Sequence, residues 1–290
     1  MMHTTTALRV STTTRKNIVV IGGGIQGTSV AYHLAKAIQQ GTTASTTSST
    51  TTITILEAKA PASAASGKGG GFMARSWGNG TPTQRLHELA FDMYSEIANE
   101  IGCESFRKLP VLSVSPGYNG VEMARKDTTL GPLLPAWLDG DVGRISAMGY
   151  GEDTAQVTPF EFVHKMLEAT SDQVTVVLGT CTGIETDQSS DPTTGSQKKI
   201  TAVKYTTQDG GQEAILPADT VIVSAGPWSC AAEQWFQGAV TLPMEGIKST
   251  SIVWKKPQGE TLVDATALFC GEHDRFGTHC KYPSCLIKSN

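Results

Sequence analysis

Two hydrophobic periods, one near 2 and one near 3.6, alternate along this chain, and the switches between them lay out its elements. Asn17 to Ile21 (NIVVI) is a short β-branched run stopped by Gly22, the pattern of a strand covered on both faces. From Ile25 the apolar and small residues Val30, Ala31, Leu34, Ala35 and Ile38 return on one face until about Gly41, which predicts a helix. Ile53 to Leu56 (ITIL) reads as a second buried strand, so strand, helix and strand make one βαβ unit. A helical pattern returns over 83–101 through Leu86, Leu89, Ala90, Met93, Ile97 and Ile101. Another opens at Pro159 and runs to Ala169. Val174 to Leu178, Ile200 to Thr206 and Thr220 to Val223 read as strands, the first two separated by the polar stretch 187–199. Interleaved helices and strands predict an α/β fold, a Rossmann-like domain on a parallel central sheet, joined by a partial antiparallel α+β domain.

Composition narrows the classes. The chain has 290 residues, 39% of them hydrophobic, enough for one large core or two modest ones, so global disorder is excluded. With 23 basic and 27 acidic residues the net charge is −4, which leaves no electrostatic footprint for nucleic acid. No apolar run approaches the roughly 20 residues of a membrane span, and no secretory leader pattern opens the chain. Six scattered cysteines do not form a disulfide framework, which predicts a reducing, cytoplasmic setting. Residues 1–16 are Thr-rich and aperiodic and read as a disordered tail, with a short organelle-targeting sequence as the rival reading. Residues 42–52 (TTASTTSSTTT), ten Ser or Thr and one Ala, read as an exposed loop inserted within the βαβ unit.

The chemistry gathers at Gly22-Gly23-Gly24-Ile25-Gln26-Gly27, a G-x-G-x-x-G motif between the first strand and the first helix, where its mechanism requires it. Gly22 permits a tight turn, Gly24 lets the backbone approach a pyrophosphate, and Gly27 lets the helix pack on the sheet. The amides of Ile25 and Gln26 then face the phosphates from the helix start. The motif asks for an acid about 20 positions on, to bind ribose hydroxyls. The first Asp or Glu of the whole chain is Glu57, which follows Gly24 by 57 − 24 = 33 residues, or 22 without the 11-residue insertion. A carboxylate there also repels a 2′-phosphate. These residues imply an adenine dinucleotide without separating NAD from FAD.

Four segments carry a resemblance that does separate them: NIVVIGGGIQGTSVAYHLAK (17–36), Glu57 with ASGKGGGF (65–72), AQVTPFEFVHKMLEAT (155–170) and DTVIVSAGPWS (219–229). The chain resembles the D-amino-acid oxidase-type family of FAD-dependent oxidoreductases, which also holds glycine and sarcosine oxidases. It looks most like a eukaryotic subgroup of amino-acid-type oxidoreductases. The resemblance implies FAD as cofactor. It places Ser66, Gly67, Lys68 and Gly70 along the pyrophosphate toward the flavin, the backbone of Cys181 or its neighbour at the adenine, and Ala225, Gly226 and Trp228 where the chain returns to the cofactor. The run of four glycines over Gly67 to Gly71 also argues for a ligand, because ordering it alone costs backbone entropy.

The implied domains are a tail at 1–16, an FAD-binding part at 17–83, cap elements at 84–150, a second FAD-binding part at 151–239, an incomplete substrate domain at 240–279, and a non-family end at 280–290, read as a truncation. The expected partner is a small amine or amino acid whose C–N bond is oxidised by hydride transfer to flavin. An NAD-dependent dehydrogenase, a non-catalytic dinucleotide-binding regulatory or trafficking protein, and an inactive fragment are the alternatives. The Cys270, His273, His279, Cys280 and Cys285 group has spacings that match no common zinc pattern, so no metal is expected. His87 and His164 fall on helices without a catalytic setting, and the five tryptophans read as packing aromatics, Trp77 being near enough to the glycine loop to line a pocket.

Overall fold

The structure is a computed structural model, and it describes residues 15–41, 50–138, 141–189, 197–236, 238, 240–248, 250, 266–270 and 284–287. The chain divides into two compact units, Met1–Ser66 with Met166–Lys248, and Gly67–Lys165 with Ser249–Asn290.

The first unit is built on a six-stranded sheet. Strand β1 (Arg15–Ile21) leads into helix α1 (Ile25–Gln39), and the chain returns as β2 (Thr50–Glu57), parallel to β1 in a register that pairs Ile21 with Leu56. Further strands are β6 (Val174–Ser189), β7 (Gln197–Thr207), β8 (Glu213–Pro217) and β9 (Thr220–Val223), giving the spatial order β8-β7-β6-β2-β1-β9. The four strands β6, β2, β1 and β9 are parallel, and β7 and β8 extend the sheet antiparallel beyond β6. The continuous burial of Ile18 to Ile21 follows from cover on both faces. On one face Val20, Ile53 and Ile55 pack with Ala31 and Ala35 of α1, and on the other Val19, Ile21 and Leu56 pack with Val203 and Ala218.

The second unit holds a mixed five-stranded sheet. Strands β3 (Phe72–Ala74), β4 (Arg107–Pro116), β5 (Val142–Gln156), β10 (Ala267–Cys270) and β11 (Ser284–Ile287) lie in the order β11-β10-β4-β5-β3. Helix α2 (Gln84–Glu100), the short α3 (Gly120–Lys126) and most of α4 (Pro159–Ala169) belong to this part of the chain. Leu112, Val114, Val142, Ile145 and Leu268 make its main core with Ala124, Leu134 and Leu138.

The α/β reading and the antiparallel addition hold, and the elements expected at 83–101, 159–169 and 220–223 form within a residue or two. Other boundaries shift. Arg15 and Lys16 join β1 and Thr50 to Thr52 join β2, because the two strands lengthen each other by pairing Arg15 with Thr50. The division falls after Ser66 and not after 83, since β3 pairs with β5. It falls again at 165/166 and not at 150/151, because β5 runs unbroken to Gln156 in the second sheet. Within 280–290, the non-family end, Ser284–Ile287 is a strand paired antiparallel with β10. The rest of the tail, residues 42–49 of the insertion, and His273, His279 and Cys280 lie outside the described residues.

Candidate functional site: the dinucleotide cradle

Three strand ends meet at Gly22. Its amide donates to the Leu56 carbonyl at 2.8 Å, and the Ser224 amide donates to the Ile21 carbonyl at 2.8 Å. Gly22 turns there with φ of 111°, a conformation that favours glycine, and a Cβ on it would overlap the Ser224 carbonyl. A Cβ on Gly27 would overlap the Gly22 carbonyl oxygen and stand 3.1 Å from Val20 Cγ1, so its absence lets α1 lie against the sheet.

Gly24 differs from both. Its backbone is extended (φ −79°, ψ −176°), which any residue adopts, and a Cβ on it would meet only Ser66, at 2.9 Å from Oγ. No backbone crowds that side; the group that stands there is the Ser66 side chain, which can rotate. Here α1 begins. The first N–H groups of a helix have no partner within it. The Ile25 amide donates to Ser66 Oγ at 3.0 Å, and Thr28 makes the first bond back, to the Gly24 carbonyl at 2.9 Å. The amides of Gln26 and Gly27 therefore have no acceptor inside the helix, and with the positive end of the helix dipole they suit an anion.

Glu57, the last residue of β2, faces the same turn. Its Oε2 accepts from the Gly23 amide at 2.7 Å and its Oε1 from the Lys59 amide at 2.9 Å. An ionised carboxylate has about four acceptor sites, so two stay open for a diol. Ala62, buried and at a positive φ of 55°, closes the turn by donating to the Gly23 carbonyl at 3.0 Å. Ala62 was not singled out in the sequence, where the small residues after Pro61 were the one signal.

The remaining site residues spread along the chain. Ser66, in a short 3-10 turn at Ala65–Gly67, stands beside Gly24. Gly67, Lys68 and Gly70 fall at the start of the second unit. There the Gly70 carbonyl accepts from Gln156 Nε2 at 3.1 Å, and the Val157 amide donates to the Gly71 carbonyl at 3.0 Å. The chain's own bonds thus order the end of the glycine run, so its composition alone does not call for a ligand. Ala225 comes to the Gly22 turn, its Cα 3.1 Å from where a Gly22 Cβ would stand. Gly226 opens a 3-10 turn at φ of 56° with nothing near its Cβ position. Trp228 is 63% exposed, unlike the packing role expected of it.

Cys181 sits within β6, not at a strand end, because pairing with β7 carries that strand on to Ser189. Its side chain packs with the Val19, Ile21 and Leu56 cluster, and burial pushes its thiol up to about 11. The β6 residue in register with Glu57 is Leu178, 42% exposed. Gln208 frames this corner, its amide bonded to the Leu178 carbonyl at 3.4 Å and its Nε2 to the Lys59 carbonyl at 3.2 Å.

Residues 17–280 match the profile of the DAO family of FAD dependent oxidoreductases. The chain belongs to this family. A Schizosaccharomyces pombe protein named as an oxidoreductase, without a stated substrate, is 27% identical over 225 residues, 74% of this chain and 55% of that one. Among solved structures the fold is similar to L-amino acid deaminase from Proteus vulgaris (TM-score 0.53, 20% identity, 84% of this chain and 53% of that one). It is also similar to glycine oxidase from Bacillus cereus (TM-score 0.52, 15% identity, 77% and 58%). The chain thus spans a little over half the length of these relatives. FAD is the cofactor of the DAO family. The residues present fit its adenosine and pyrophosphate half: a Gly24 with no backbone against it, the Gln26 and Gly27 amides with no acceptor inside the helix, and a Glu57 carboxylate with open acceptor sites.

Proposed function

We propose that this chain holds FAD through the Gly22 to Gly27 turn and Glu57, in a protein that oxidises the C–N bond of an amino acid or related amine. The observation that carries the FAD half is the contrast at the turn: Gly22 and Gly27 are closed in by backbone, while Gly24 faces only the rotatable Ser66 side chain. Gln26 and Gly27 offer their amides to the pyrophosphate, and Ser66 holds the Ile25 amide in place. Glu57 accepts the ribose hydroxyls while bonded to the Gly23 and Lys59 amides. Leu178, in register with Glu57, and the backbone leading to Cys181 would hold the adenine. Bound there, FAD would supply the hydride acceptor for the substrate carbon, and the protein's part would be to hold and orient. The amine or amino-acid class is supported by the names of the structural neighbours, which include an L-amino acid deaminase, a glycine oxidase and an L-proline dehydrogenase from P. horikoshii.

Purified chain, titrated with FAD and then mixed without oxygen with a panel of D-, L- and N-methyl amino acids, tests both halves. Retained flavin absorbance that bleaches with a panel member is the expected result. Failure to retain flavin overturns the binding assignment, and retained flavin that no panel member bleaches overturns the substrate class.

A further inference from the structure

Arg107, the half-buried first residue of β4, has no counter-ion among the described residues. Its Nε is buried with no hydrogen-bond partner. Burial lowers the guanidinium from its usual range, with no nearby acid to offset this. Its one bond among the described residues runs from Nη2 to Gln156 Oε1 at 2.7 Å. Gln156 is 7% exposed, ends β5, and is in register with Phe72 on one side and Arg107 on the other.

That arrangement has a direction. Guanidinium nitrogens only donate, so the Gln156 atom facing Arg107 must be the amide oxygen, and the amide nitrogen is thereby turned toward the Gly70 carbonyl, 3.1 Å away. Arg107 selects one of the two amide orientations that a free glutamine samples. The next link is backbone: the Val157 amide donates to the Gly71 carbonyl, and Gly71 sits at φ of 69° with Val157 against its Cβ position. Arg107 is half-buried, so leaving it without an acid carries part of the cost of a buried charge, and a carboxylate at 156 would offset it. A glutamate would also lose the donor toward Gly70. The residue found at 156 serves the glycine run at the expense of the arginine.

We infer that Arg107 is a positioning residue that acts through Gln156 to set the Gly70 carbonyl, and with it the end of the glycine run that follows Ser66. The inference rests on the proposed FAD reading for its effect on the cofactor, and on the fold alone for its effect on the loop.

The full chain carrying Gln156→Glu separates this from a merely structural role. Glutamate has the same shape and gives Arg107 its missing counter-ion, so thermal stability of the cofactor-free protein holds or rises, while Gly70 loses its donor. Amide hydrogen exchange over 67–71 accelerates, and FAD affinity drops roughly three- to tenfold, the equivalent of one neutral hydrogen bond. Arg107→Met, which removes the charge and frees the Gln156 amide to turn, shows the same acceleration with stability near that of the parent. Unchanged exchange over 67–71 in both variants overturns the inference, whether or not FAD binds. Faster exchange with unchanged FAD affinity overturns its cofactor half. A parent chain that shows no FAD affinity overturns the FAD reading and leaves the exchange readout to decide the loop.

Discussion

Gly24 and Gly27 are three residues apart in one motif, and alanine at each is expected to fail differently. At Gly24 the backbone accepts an L-residue, and the new methyl meets only Ser66 Oγ, 2.9 Å away. Ser66 can rotate aside at the loss of its bond to the Ile25 amide, about 0.5–1.5 kcal/mol. Alanine is also a poorer N-cap than glycine by several tenths of a kcal/mol. The cofactor-free protein therefore loses about 1–2 kcal/mol, or roughly 2–8 °C in Tm. The methyl stands on the side open to the pyrophosphate, and displacing two charge-assisted bonds at about 1.5–3 kcal/mol each lowers FAD affinity by roughly a hundredfold or more. At Gly27 the methyl overlaps the backbone carbonyl of Gly22, which cannot rotate away, so α1 must lift off the sheet. That costs about 1–3 kcal/mol or more, and binding is lost through the fold. Thermal melts of cofactor-free protein alongside FAD titration by flavin fluorescence read the two effects. A Gly24→Ala protein with parental FAD affinity, or one that melts as low as Gly27→Ala, refutes the assignment.

Three further outcomes follow from named contacts. Glu57→Gln keeps one acceptor oxygen for two amides, so cofactor-free stability falls by about 1 kcal/mol in a urea melt and FAD titration shows weaker binding than the parent. Burial raises the Cys181 thiol from 9.0 to about 11, so its stabilising effect is complete below pH 9 and is lost as pH rises toward 11; alkylation rates of that thiol, mapped by mass spectrometry, stay low until the same window. Arg75→Ala, which removes the exposed pair with Asp92 at 3.2 Å, leaves thermal stability close to that of the parent, and any small difference disappears at high salt.

What could be read from the sequence was whatever a local period or a mechanism writes into it. Strand β1, helix α1 and strand β2 announce themselves in NIVVI, the spacing from Ile25 to Ile38, and ITIL, and the glycine motif names its acid partner 34 residues from Gly23 because the chemistry demands one. Strands β4 and β5 gave no such signal. β4 carries Pro110, which argues against a strand, and the structure places it where the pairing with β5 shifts register. β5 contains Gly143, Gly149 and Gly151 amid charged residues, and it is extended because β3 and β4 pair with it. Gly70 was singled out, but its link through Gln156 to Arg107 escaped for the same reason: the three meet only once that sheet has formed.

The distance from Gly24 to Glu57 shows which spacings a fold protects. β1 and β2 are parallel, so both run toward the turn at Gly22, and the α1-to-β2 connection that holds residues 42–49 enters at the opposite end of β2. Lengthening that connection costs only about 0.6 kcal/mol per doubling of its length, and it leaves the register of Ile21 on Leu56 untouched. The carboxylate therefore arrives at Gly23 whatever the length of the connection. It arrives already bound, since the Gly23 and Lys59 amides fix both its oxygens. The rotamer entropy of a glutamate, about 1.5–2 kcal/mol, is thus lost on folding and not on binding. Ser66 on the Ile25 amide and Ala62 on the Gly23 carbonyl extend the same logic, so the shape of the turn is set by bonds that the chain makes to itself.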